Sequence, residues 1–250
     1  MPVMISFASE QVFVVTGASS GIGESVALAL NGLGAAVIAI GRDAARLSAV
    51  RARAKAPERF FVEQKDLTAD LAGLGGYVRE LVEKYGKLSG LASCAGVSDI
   101  RPLQLFDPVA AKEIFDVNYF VPVMLLKGLS DRRNVADAGA ACVVVASAAA
   151  ELADKGQCAY AGSKAALIAS VRVIAKEVAA KGLRVNAVSP TVVATPMTAA
   201  YGEAYVRSQA QRQPFGLGEP ADVSNLVVYL LSEKARWITG QNYTVDCGSF

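Results

Sequence analysis

The stretch Val12-Phe13-Val14-Val15-Thr16-Gly17-Ala18-Ser19-Ser20-Gly21-Ile22-Gly23 passes from an unbroken apolar run into a glycine-rich loop. Residues 12–15 read as a buried strand. After Gly21, Ile22, Val26, Leu30 and Leu33 recur at helical spacing, so the loop joins a strand to a helix. Glycine allows the tight turn and lets the backbone approach a pyrophosphate, whose charge a helix N-terminus favours. Alone such a loop is weak evidence. At the first strand–helix junction of an alternating chain it points to a dinucleotide site.

The alternation continues outward along the chain. Strands are expected at 36–40, 60–62, 88–93, 142–147, 183–188 and 242–245. Helices are expected at about 43–55, 69–85, 108–129 and 220–231, with a further helix holding Tyr160 and Lys164. Pro122 should bend or interrupt the long fourth helix. Strand, helix, strand repeated this way predicts an α/β fold: a single-domain, Rossmann-like, doubly wound parallel sheet flanked by helices. No composition break divides residues 1–250, which predicts one dinucleotide-binding domain. The segment 189–218 carries Pro190, Pro196 and Pro214 directly after a strand and reads as a substrate lid.

Hydrophobic residues make up 53% of the 250 and charged residues only 19%. Strands covered on both faces explain this better than membrane spans, since no run approaches the roughly 18 consecutive apolar residues a span needs. The first residues show no basic segment followed by a long apolar core, so no signal peptide is expected. Net charge is +2 with both signs scattered, and the Arg132-Arg133 pair reads as a solvated turn, so neither nucleic acid nor a membrane is an expected partner. The four cysteines are far apart, which suits a reduced, cytoplasmic protein. The chain has no histidine, which removes His-based triads and histidine metal sites; no metal is expected.

Chemistry concentrates at Ser147, Tyr160 and Lys164. Ser147 ends an apolar run, at the carboxyl end of a strand where open parallel sheets bind ligands. Tyr160 and Lys164, four apart, share one helix face. A free tyrosine has a pKa of about 10, and a nearby ammonium favours the phenolate, so Tyr160 is expected to donate and recover a proton. Ser147 would hold the substrate oxygen. Cys158 reads as a buried, inert thiol.

Thr-Gly-x-x-x-Gly-Ile-Gly followed by Ser147, Tyr160 and Lys164 resembles the short-chain dehydrogenase/reductase family in its compact one-domain form, over essentially all 250 residues. Members resembling 3-oxoacyl-acyl-carrier-protein reductases are the nearest in character, although no basic cluster marks a carrier-protein dock. The resemblance implies cofactor contacts at Gly17, Ser19, Ser20, Gly21, Ile22 and Gly23. It also implies that Lys164 holds the nicotinamide ribose beside Tyr160, and that Asn118 completes a proton relay through water. Asp66-Leu67 would meet adenine, although a helix N-cap before Thr68 is an alternative for Asp66. Ala95-Gly96 keeps the backbone-permissive part of Ser93-Cys94-Ala95-Gly96, where the family has Asn-Asn-Ala-Gly. Pro190, Val193 and Thr195 would bind the carboxamide, with Thr191 replacing a family glycine; Cys247 replaces another. At the end of the second strand Gly41 stands where NAD-using relatives carry an acid, and Arg42 offers a fork suited to a 2′-phosphate. Asp43 is expected to cap the next helix.

These features predict an NADP(H)-preferring oxidoreductase, with NAD(H) open as an alternative, acting on a small-molecule carbonyl or secondary alcohol and favouring reduction. Ala148, Ala149, Ala150, Glu151, Thr198, Tyr201 and Tyr205 are expected around the substrate. Small residues on the helix after Tyr160 predict a homodimer or homotetramer. A non-catalytic cofactor sensor or scaffold of the same fold is the alternative.

Overall fold

A computed structural model describes residues 4–152 and 154–249. The strands β1 (Val12–Thr16), β2 (Ala36–Gly41), β3 (Phe60–Gln64), β4 (Gly90–Ser93), β5 (Ala140–Val145), β6 (Leu183–Pro190) and β7 (Asn242–Val245) form one sheet in the order β3-β2-β1-β4-β5-β6-β7. Every pairing is parallel. The helices are α1 (Gly21–Gly32), α2 (Ala44–Ala52), α3 (Leu74–Tyr85), α4 (Pro108–Phe115), α5 (Val121–Leu129), α6 (Ala149–Leu152), α7 (Cys158–Val178), α8 (Pro196–Ala199), α9 (Glu203–Arg212) and α10 (Pro220–Leu231). The Rossmann-like α/β architecture expected from the alternation is therefore present.

Strand residues alternate between two cores, which is why the strands are apolar throughout. Val12, Val14, Ile38 and Val144 pack under α3, α5 and α7, while Phe13, Val15, Val37 and Val143 pack under α1, α2 and α10. One helix, Cys158–Lys181, is long and apolar enough by composition to cross a membrane. Its Leu167, Ile168, Val171, Ala175 and Val178 are buried in the core on α3 and α5's side of the sheet, as in a core helix.

One local expectation is corrected and two are refined. The third helix begins at Leu74 rather than near 69, because Asp70 accepts from the Gly73 N–H and closes a separate turn first. The long helix is broken before its proline: Asp116–Phe120 is a π-turn between α4 and α5. An α-helical turn would direct the N–H of residue 122 to the Asn118 carbonyl, and proline has none, so the preceding turn widens to place the ring. The segment 189–218 is not a bare loop, since it carries α8 and α9.

Candidate active site

Sequence order reverses direction at β1, with β2 on one side and β4 on the other. At such a switch point the carboxyl ends of the strands open a crevice. Two adjoining cavities, of about 290 and 320 Å³, fill it and share Ile22, Cys94, Gly96, Thr195 and Met197.

The larger lobe is walled by the loop from β1 to α1. Gly17 has φ +66°, and a Cβ there would lie 2.8 Å from the Ala95 nitrogen. A Cβ on Gly23 would strike the Gly17 carbonyl. Glycine at both positions thus lets β1, the β4 loop and the start of α1 close on one another. Ser20, the N-cap of α1, gives no side-chain cap bond, so its hydroxyl leaves the first-turn N–H groups free. Ser19, Gly21, Leu67 and Ala95 complete the wall.

Arg42, Arg46 and Lys65 face Asp66 across the same lobe. Arg46 pairs with Asp43, which caps α2 as expected by accepting from the Arg46 N–H. Lys65 lies 4.3 Å above the Tyr77 ring. Arg42 has no ion-pair partner among the described residues, and no acid occupies the end of β2. Asp66 does not cap a helix. Its carboxylate accepts from the Thr68 hydroxyl (2.7 Å) and N–H (2.9 Å), and these bonds hold it below the ordinary carboxylate range.

The second lobe holds Ser147, Tyr160 and Lys164 together. Ser147 lies two residues past β5, buried, its Oγ accepting from the Ala149 N–H at 3.1 Å. Tyr160 is in the first turn of α7, partly open to the cavity. Lys164 follows one turn later, buried, and donates to the Val145 carbonyl at 2.8 Å. Its Nζ stands 5.9 Å from the Tyr160 ring centroid.

Electrostatics here differ from the sequence expectation. Burial pushes the Tyr160 phenol above its usual range; Ser147 pulls it back in part, and Tyr201 and Tyr205 push it further up. Lys164 does not cancel this rise, its ammonium being held by the Val145 carbonyl at 5.9 Å from the ring centroid. Burial also pushes Lys164 itself down to about 8. The arrangement favours a neutral phenol, which is the form that gives a proton away.

Asn118 is the one expected catalytic residue that does not line the cleft. Its Oδ1 accepts from the Val97 N–H and its Nδ2 donates to the Val97 carbonyl, both at 2.9 Å. Nδ2 also donates to Ser163 Oγ at 3.1 Å, and that hydroxyl donates to the Tyr160 carbonyl at 2.7 Å. A Cβ on Gly96 would lie 3.3 Å from Asn118 Oδ1 and 3.6 Å from Lys164 Nζ, so glycine leaves the space between them open.

Pro190 and Val193 line the second lobe, and Thr195 borders both. Thr195 Oγ1 caps α8, and the Val193 carbonyl accepts from the Thr198 hydroxyl at 2.6 Å. Ala148 and Ala149 line the cavity with Thr198, Tyr201 and Tyr205, whereas Ala150 and Glu151 do not. Cys158 is exposed rather than buried, because it opens α7 on its outer side. The thiol beside the site is the half-buried Cys94, pushed up to about 12 by desolvation. Thr16 Oγ1 accepts from the Ala95 N–H at 3.1 Å and supports the loop whose family amides are missing.

Sequence reasoning missed Gln209, Arg212 and Gln213, which line the cavity from α9 and its end. Positions 201, 205, 209 and 213 are four apart, a helical stripe visible in the sequence. Arg212 grips Asp154 at 2.9 and 3.3 Å, and Tyr201 donates to Ser98 at 2.9 Å, so the segment bridges both sides of the cleft.

A family model described as Enoyl-(Acyl carrier protein) reductase matches residues 17–249. An uncharacterized oxidoreductase of Methylorubrum extorquens is 32% identical, with 92% of this chain and 94% of that protein covered. A 3-oxoacyl-[acyl-carrier-protein] reductase of Thermotoga maritima is 30% identical, covering 95% and 97%. Among solved structures, a dehydrogenase/reductase from Sinorhizobium meliloti superposes with TM-score 0.88 at 31% identity, covering 98% and 96%. A short-chain type dehydrogenase/reductase from Mycobacterium ulcerans gives 0.87 at 30%, covering 98% and 91%.

Proposed function

Since the chain belongs to the short-chain dehydrogenase/reductase family of oxidoreductases, we propose that it is an NADP(H)-preferring enzyme that reduces a carbonyl to a secondary alcohol. The observation that carries this reading is the convergence of Ser147, Tyr160 and Lys164 in one lobe that shares a wall with the glycine-loop lobe.

The residues fit a nicotinamide dinucleotide phosphate. The loop Gly17–Gly23 admits a close backbone approach, and the first turn of α1 offers N–H groups to a pyrophosphate. Arg42 would take the 2′-phosphate, and Asp66 and Leu67 would border adenine. Pro190, Val193 and Thr195 would hold the carboxamide, and Lys164 the ribose hydroxyls.

When bound, the cofactor supplies a hydride to the carbonyl carbon. Ser147 positions the carbonyl oxygen, and Tyr160 gives that oxygen its proton as charge develops there. Tyr160 is protonated at neutral pH, the form in which it can give up its proton. Lys164 stabilises the phenolate left behind. Water in the gap over Gly96, held by Asn118 and Lys164, would return the proton.

The residues 1–250 act in this reading as one domain, with 189–218 as the substrate lid. Exposed Val109, Phe120 and Val173 on or beside α4, α5 and α7 suit association into a dimer or tetramer. The test is Tyr160→Phe. It should reduce carbonyl turnover by at least about a hundredfold while NADPH titration, followed by nicotinamide fluorescence, changes little. Retained turnover would remove Tyr160 from the chemistry. NADPH binding with no turnover of any carbonyl by the wild type would favour a cofactor sensor.

A further inference from the structure

Gln209 sits on α9 above the substrate lobe, about nine-tenths buried and lining the cavity. Its amide has no hydrogen-bond partner among the described residues. The neighbouring Gln213 shows the contrast: it accepts from Thr191 Oγ1 at 2.8 Å and donates to the Val192 carbonyl at 3.1 Å. The amide is therefore free toward the open lobe, where a ligand can replace solvent on it. We propose that Gln209 is the specificity-determining residue of this site, and that it selects a neutral carbonyl compound carrying a hydroxyl group remote from the reacting carbon. This rests on the carbonyl-reductase reading above.

Charge and hydrogen-bonding capacity both lead there. The lobe's cation at the mouth, Arg212, is matched by Asp154, and the cation at its base, Lys164, is held by the Val145 carbonyl. An anionic substrate therefore meets no unpaired cation at the mouth of the lobe. An amide presents an acceptor and two donors, and a hydroxyl answers both. Tyr205, one turn before Gln209, brings a hydroxyl to the same wall, and Gln157 brings a second amide.

The experiment measures kcat/KM with NADPH for ω-hydroxy-2-alkanones from butanone to octanone. Each is compared with the 2-alkanone ending in methyl at the same atom count, and acetoacetate represents the anions. The best hydroxyketone should exceed its alkyl partner by roughly tenfold or more, and acetoacetate should be the poorest. In Gln209→Leu the hydroxy-to-alkyl ratio should fall close to one. Gln209→Asn, which keeps the amide but withdraws it by one methylene, should lower the same ratio in part and serves if the leucine variant does not fold. A wild-type ratio near one, or a ratio unchanged in both folded variants, overturns the assignment of Gln209 while leaving the reductase reading intact. Failure of the wild type to turn over any of these ketones, or a wider carbonyl panel, overturns both.

Discussion

The side-chain amide of Asn118 and the backbone of Val97 exchange two hydrogen bonds of 2.9 Å, tying the π-turn to the loop after β4. Through Ser163 the same amide reaches the first turn of α7, where Tyr160 is placed. Asn118→Leu removes both partners of the half-buried Val97 backbone and should cost about 1–2 kcal/mol, read as a lower urea midpoint at unchanged slope. It should also lower kcat more than it raises KM for NADPH, because what is lost is the position of Tyr160. An unchanged midpoint would mean that Val97 finds water instead.

Arg42 is the unpaired cation at the end of β2, and it decides between the two nicotinamide cofactors. Wild type should bind NADPH more tightly than NADH. Arg42→Ala should weaken NADPH by about tenfold or more, as expected for loss of a charge-assisted bond to phosphate, and leave NADH nearly unaffected. Equal binding of both by the wild type would reduce Arg42 to a turn residue and begin the substrate search with NAD⁺ and alcohols.

Lys164 titrates at about 8 in the fold against an ordinary 10.5. Between those values the unfolded chain binds more protons than the folded one, so stability rises with pH across this window. The burial penalty is fully present below about pH 8. Relative to Lys164→Met, wild type should therefore gain up to about 3 kcal/mol between the two pH values. Reductive kcat/KM should fall above about pH 8, as the cation that stabilises the Tyr160 phenolate is lost. A flat profile through pH 9 would contradict the shift.

Cys247 has φ +50°, a left-handed conformation that no other described non-glycine residue adopts. Cys247→Gly should raise stability by about 1 kcal/mol, because the αL cost for a Cβ-bearing residue exceeds the added chain entropy. Thermal unfolding measures this, and a lower Tm would show that the thiol's packing outweighs its backbone.

The sheet was readable because burial on both faces forces strands such as 12–15 and 36–40 to be apolar at every position. The Ser147, Tyr160 and Lys164 group was readable because a strand end and one helical turn place the three by spacing alone. Three aspects were not. The proton affinity of Tyr160 depends on how deeply tertiary packing buries it and on where the Lys164 ammonium points, neither of which spacing reveals. Asn118 was foreseen in a relay, but the hold of its side chain on Val97 was not, since that partner is set only when the β4 loop folds back on the π-turn. Gln209 belonged to a four-residue stripe, but the face of α9 that turns inward depends on how the lid docks.

Arg212 and Asp154 face each other across the mouth of the substrate lobe, both largely exposed, with two contacts of 2.9 and 3.3 Å. An exposed pair of this kind adds little to stability, so its effect should appear in selectivity. With Asp154 present, Arg212 is neutralised and an anionic ketone gains nothing from it. Asp154→Asn keeps the size of the side chain but frees the guanidinium. Its kcat/KM for acetoacetate should rise several-fold relative to a neutral ketone, and salt should erase the gain, since an exposed charge is screened within about 10 Å at 0.1 M. Asp154→Asn with Arg212→Gln should return the ratio to the wild-type value. A salt-insensitive gain, or one that survives in the double variant, would place its origin in the shape of the loop before α7 rather than in the charge of Arg212.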